Sequence, residues 1–134
     1  MDWKLEVVVV PVSDVDRAKR FYSEQLGFNV DNDVRMSDAF RVVQLTPPGS
    51  GCSITIGTGL GSSAPGSLQG LQLSVTDIAA AHAQLVERGV EVSGVKHFDN
   101  GVQADGPGGD LNSFLFFSDP DGNGWAVQQV PARA

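Results

Sequence analysis

Few residues in this chain could do chemistry. It has two histidines, His82 and His97, and one cysteine, Cys52. His97 lies in GVKHFDNGVQADGPGGD, where Asp99, Asp105 and Asp110 follow it on what reads as a loop. An imidazole beside a carboxylate can be held in one tautomer, the arrangement a general base needs. His97 and these loop carboxylates are therefore the candidate catalytic groups, although a loop of an acidic protein collects aspartates without any function. His82 falls at the edge of a helical apolar stripe and reads as a packed structural residue. Cys52 opens a strand with no base beside it, so nothing there would generate a thiolate. DPDGNG, Asp119 to Gly124, reads as a turn between strands rather than a calcium or phosphate loop. GPGGD, Gly106 to Asp110, lacks the Lys and the strand–helix context of a phosphate loop, and its glycines suit a mobile lid.

The elements that must position these residues are written twice. VVVVPVSDVDRAKRFYSEQLGF, Val7 to Phe28, is an apolar strand, a Ser-Asp pair, an amphipathic helix and a glycine. LQLSVTDIAAAHAQLVERGVEV repeats the order with Thr76-Asp77. In the first copy Ser13 is the expected cap, with Asp16 three residues on in a capping-box pattern. Val15, Ala18, Phe21, Tyr22 and Leu26 fall on one helical face, and Gly27 is the expected left-handed stop. In the second copy Thr76 is the expected cap, Ile78, Ala81, Leu85 and Val86 form the stripe, and Gly89 stops the helix one residue earlier. Strands are expected at Leu5–Val12, Phe28–Asp33, Ala39–Thr46 and Cys52–Gly57, then at Leu71–Val75, Val90–Lys96, Asn112–Ser118 and Gly124–Val130. The Gly/Ser-rich stretch between the copies reads as a linker.

The expected fold class is therefore α+β: two βαβββ modules forming a curved, partly closed mixed sheet with helices outside. The first module spans 1–58, the linker 59–68 and the second module 69–134, in one compact domain. One helix covers only one face of a four-stranded sheet. The second copy would supply the other wall of a cavity.

Composition narrows the partners. The chain has 134 residues and a net charge of −7. That charge opposes binding to nucleic acid or an anionic membrane, both of which select basic surfaces. One cysteine allows no internal disulfide and fits a reducing compartment. No secretory signal is visible and the longest apolar run is too short to span a bilayer, so a cytoplasmic protein is expected.

VSDVDRAKRFYSEQLGF and FFSDPDGNGW resemble the vicinal oxygen chelate superfamily, which includes glyoxalase I, extradiol dioxygenases and bleomycin-resistance proteins. The resemblance covers nearly the whole chain and implies the fold more strongly than any activity. Metal-dependent members carry His, Gln and Glu ligands on strands facing the cavity. The corresponding places here are Val7, Gly70, the strand Ser53 to Ile56, and Ala126 with Gln128 on the same strand face. These offer no imidazole, thiolate or carboxylate, so no metal and no other cofactor is expected.

Alternation sketches the ligand-binding positions. Val7, Val9, Thr55 and Gln72 would face inward, with Gln128, and Arg41 or Gln44 as a further polar group. Phe114 and Phe116 share one face of the seventh expected strand, Leu115 and Phe117 the other, and alternation alone does not say which pair lines the cavity. Such a pocket suits a small, mainly apolar or aromatic organic molecule. The leading expectation is a metal-independent, bleomycin-resistance-like binder. The alternatives are a glyoxalase-like lyase or isomerase using His97 or a loop carboxylate as base, and a non-catalytic interaction domain with a filled cavity. Exposed strand edges and the long linker point to a homodimer.

Overall fold

A computed structural model describes residues 1–132; the last two positions of the module expected over 69–134 lie outside the described residues. The chain divides into two units. The first comprises Met1–Leu68 and the short segment Asp119–Asn123; the second comprises Gln69–Ser118 and the chain from Gly124 onward. The linker stretch thus belongs to the first unit, where Gly66 N–H donates to Pro11 O at 3.1 Å.

The first unit holds β1 (Val7–Val9), α1 (Val15–Arg20), β2 (Asn29–Ser37), β3 (Phe40–Thr46) and β4 (Ser53–Thr58). Its mixed sheet has the order β1-β4-β3-β2, with β1 parallel to β4 and the other pairs antiparallel. Strand β1 starts two residues later than expected and stops before Pro11, which has no N–H to continue the ladder. Val8, Leu45, Ile54 and Ile56 point to the α1 side, where Val15, Ala18, Phe21, Tyr22 and Leu26 are all buried.

Both helix caps sit one residue later than expected. Asp14, not Ser13, accepts from Arg17 N–H, and Asp77, not Thr76, accepts from Ala80 N–H. Ser13 instead bonds to Asp121 through both its N–H and its Oγ. The extra residue of the first copy also has a place. Phe21–Gln25 form a π-helical turn, with Leu26 N–H donating to Phe21 O. A π-turn absorbs one inserted residue without rotating the flanking residues off their face. Both copies still end on a left-handed glycine, Gly27 at φ 77° and Gly89 at φ 79°.

The second unit holds β5 (Leu71–Val75), α2 (Ile78–Glu87), β6 (Lys96–Asp99), β7 (Val102–Asp105), β8 (Phe114–Ser118) and β9 (Gly124–Gln129). Its sheet has five strands in the order β5-β9-β8-β6-β7. Of the strand expected over Val90–Lys96, Lys96 opens β6 and the residues before it keep one isolated bridge, Val92 with Phe117. The stretch after His97, expected to be loop, is instead the β6–β7 hairpin. Its turn is Asn100-Gly101, at φ 53° and 78°. Asn-Gly is the pair that tolerates two left-handed residues in a tight hairpin, so this strand pair was legible in the sequence. On α2, Ile78 and Leu85 are buried and Ala81 and His82 are half-buried, whereas Val86, expected in the stripe, is exposed.

Candidate functional site

The second sheet separates its residues sharply by face. Ile78 N–H donates to Gln129 Oε1 at 3.0 Å, which places the odd-numbered side chains of β9 on the α2 side. Trp125, Val127, Leu115 and Phe117 share that face and are buried, with Phe117 and Trp125 stacked at 6.0 Å. The opposite face therefore carries Phe114 and Phe116, together with Ala126, Gln128, Gln72 and Ser74.

On this face three phenyl rings form a ladder. Phe114 stacks on Phe116 at 6.3 Å and 10°, and meets Phe98 edge-on at 5.5 Å. The rings are half-buried or, for Phe98, 40% exposed, so apolar area is available to a ligand. Beside the ladder runs a chain of amides. Gln72 Nε2 donates to Gln128 Oε1 at 2.8 Å, and Gln128 Nε2 donates to Leu111 O at 2.8 Å. Lys96 lies on the same face and pairs with Asp105. That pairing holds the Asp105 carboxyl below its ordinary range, first through the hydrogen bond and then through charge. Phe98 was missed from sequence because it belongs to the hairpin read as a loop, and Lys96 because it was read only as the end of the strand expected over Val90–Lys96.

In the first unit, Val7, Val9, Thr55 and Gln44 share the sheet face turned away from α1. Val7 and Val9 are exposed, while Thr55 is buried. Arg41 is on the other face. It is 8% exposed and bonds Asp33 through Nε and Nη2 (3.0 and 2.8 Å) and Asp16 through Nη1 (2.9 Å). Arg41, expected with Gln44 as an inward polar group, is thus turned to the α1 side, where it answers two carboxylates, while Gln44 lies on the other face. A cavity of about 570 Å³ in this unit is lined by Val9–Val12, Gly57–Gly61 and part of the following stretch to Leu68.

His97 points to the side of β6 away from the Phe ladder. Its Nδ1 is 2.8 Å from Gly106 O. A carbonyl only accepts, so Nδ1 carries the proton and the tautomer is set by backbone rather than by a loop aspartate. Asp105 turns to Lys96 on the opposite face. Cys52 is half-buried with its Sγ 3.7 Å from Ser53 O.

DPDGN is an internal brace of the first unit. Asp119 is buried and accepts from Tyr22 Oη, Asp121 N, Asn123 N and Asn123 Nδ2, all between 2.7 and 2.9 Å. Asn123, fully buried, also donates to Pro11 O and accepts from Leu68 N–H.

The model of the Glyoxalase/Bleomycin resistance protein/Dioxygenase superfamily matches residues 4–127. The chain belongs to this superfamily. Among solved structures, it is similar to TnmS3, an antibiotic binding protein from Streptomyces sp. CB03234, at 33% identity and TM-score 0.77 over 98% of each chain. A glyoxalase/bleomycin resistance protein from the same Streptomyces strain shares 33% identity, with a TM-score of 0.74 over 94% of this chain and 100% of that one. A superfamily member from Sphaerobacter thermophilus DSM 20745 shares 27%, with a TM-score of 0.74 over 96% and 98%. Comparison with curated proteins found none that matches.

The residues at the superfamily's metal places do not fit a metal ion. Val7, Gly70 and Ala126 have no donor atom, and Ser53 and Thr55 offer only neutral hydroxyls. Both ends of the Gln128 amide are already bonded. Among the described residues, no group of three or more His, Cys, Asp or Glu side chains is placed to hold an ion. Likewise, no helix among them is long and apolar enough to cross a membrane.

Proposed function

We propose that this superfamily member binds a small, mainly apolar or aromatic organic molecule, without a metal, on the face of the second sheet that carries Phe98, Phe114 and Phe116. The observation that supports this reading is the ring ladder with an amide chain beside it. Aromatic side chains with a few directional polar groups beside them are the usual lining of a small-molecule site. The likeness to an antibiotic binding protein at 33% identity favours the same class of ligand, held without chemical change. A ligand of about 25 heavy atoms at roughly 0.3 kcal/mol per atom would reach about 8 kcal/mol, a micromolar Kd. Strand edges β2 and β7 and the exposed Val34, Met36 and Val102 favour a homodimer, which sedimentation equilibrium measures. The lone unpaired Cys52 favours a cytoplasmic setting.

The test is a calorimetric screen of polycyclic aromatic compounds, alone and with Zn²⁺, Mn²⁺ or Ni²⁺. The expected result is micromolar binding that Phe114→Ala weakens about tenfold and that metal leaves unchanged. Stoichiometric metal binding, or ligand binding indifferent to Phe114→Ala and Phe116→Ala, would overturn the reading.

A further inference from the structure

The amide chain on the second sheet has a fixed polarity. Leu111 O can only accept, so Gln128 must turn its Nε2 toward it. That leaves Gln128 Oε1 toward Gln72, which must then present its own Nε2. Gln72 Oε1 is therefore the end of the chain, an acceptor with no bond among the described residues. Leu111, which supplies the carbonyl at the other end, holds a left-handed backbone at φ 60°.

Register places this acceptor. Gln72, Ala126 and Phe116 lie side by side on one rung of β5, β9 and β8. Two strand spacings, about 9.6 Å, separate the Gln72 and Phe116 backbones, with only the methyl of Ala126 between. That gap is about the length of two or three fused rings.

Resting on the binding reading above, we propose that Gln72 Oε1 is the polar anchor of the site. It selects flat aromatic ligands that bear a hydrogen-bond donor, a phenolic O–H or an aromatic N–H. Ligands with only acceptors leave Oε1 desolvated and unpaired, which disfavours them. Carboxylates meet the same oxygen in a protein of net charge −7.

The test uses 2-naphthol, 2-methoxynaphthalene and 2-naphthoate, with affinities measured by calorimetry and folding of each variant checked by circular dichroism. Wild type is expected to prefer 2-naphthol about fivefold over the methoxy compound, the scale of one net hydrogen bond, and to bind 2-naphthoate weakest. Gln72→Met removes the acceptor. Gln128→Leu leaves Gln72 in place but frees its amide to turn either way. Both variants should bring the preference close to one, whereas Phe114→Ala should weaken both neutral probes equally and keep it. Equal binding of the two neutral probes by wild type, or a preference that survives both glutamine variants, overturns the anchor while the binding reading stands. If no probe binds, or Phe114→Ala and Phe116→Ala change nothing, the binding reading falls and the anchor with it.

Discussion

Tyr22 Oη donates a 2.7 Å hydrogen bond to Asp119 Oδ2, joining two buried side chains 97 positions apart in the sequence. The tyrosine comes from the π-turn that ends the first helix, and its ring lies between Phe21, edge-on at 5.1 Å, and Phe28, stacked at 5.7 Å. The aspartate opens DPDGN. A motif that resembles a ligand loop in sequence is thus committed to bracing the first unit, and each Asp119 oxygen is already satisfied by two donors.

Tyr22→Phe keeps the ring packing and removes one donor from a buried carboxylate. Hydrogen bonds to charged groups contribute about 1.5–3 kcal/mol, and a loss of that size is expected. Urea denaturation should show a lower midpoint with an unchanged slope. An unchanged midpoint would mean that the bond contributes nothing.

Acid should reveal the Arg41 cluster. Arg41 and then Lys19 hold the Asp33 carboxyl well below its ordinary value of 3.8. Asp33 in turn, with Asp16, raises the Arg41 guanidinium. A carboxylate depressed on folding adds stability above its unfolded value and loses it as pH falls through the folded one. That window lies below pH 3.8 for Asp33. Asp33→Asn should cost about 1–3 kcal/mol at neutral pH. The gap from wild type should close as pH drops through that window, read from thermal melts at a series of pH values. Asp16 is shifted the same way by Arg41 but is exposed, so Asp16→Asn should change stability much less.

The two faces of β8 should respond differently to truncation. Phe117 is buried under α2 against Trp125, so Phe117→Ala should cost about 3–5 kcal/mol. Phe116 is half-buried on the other face, so Phe116→Ala should cost about 1–2 kcal/mol and weaken 2-naphthol binding. Denaturation and calorimetry on the pair separate the two effects. Equal stability losses would contradict the assignment of faces.

The π-turn should accept a deletion. Removing Glu24, exposed within Phe21–Gln25, gives the first copy the spacing of the second. The turn can then close as ordinary α-helix with Leu26 and Gly27 still in place. Helical circular dichroism and a cooperative melt should survive. A collapse of the melt would show that the wider turn itself is needed to seat Tyr22.

Much of this protein is decided locally and is legible in order along the chain. The buried stripe of the first helix, the glycine stops and the alternating strands follow from period and from backbone preference. Asn100-Gly101 was an equally local signal for the β6–β7 hairpin, and it was the aspartates around it that suggested a loop. The caps moved by one residue because the neighbouring Asp is the better acceptor and Ser13 is claimed by Asp121, a residue 108 positions away.

What alternation could not decide was which face of a strand meets the helix. Phe114-Leu115-Phe116-Phe117 has two equivalent apolar faces, and Arg41 and Gln44 put a polar group on each face of β3. The choice rests on how α2 docks through Gln129, and on Arg41 finding Asp16 and Asp33 near α1. The direction of the Gln72–Gln128 chain is set in the same way, by the carbonyl of Leu111. The sequence by itself determined the elements, their doubled order and the residues able to stack or hydrogen-bond. Only the tertiary structure decided which of these share a surface, because facing is a property of long-range contacts and period is a property of neighbours.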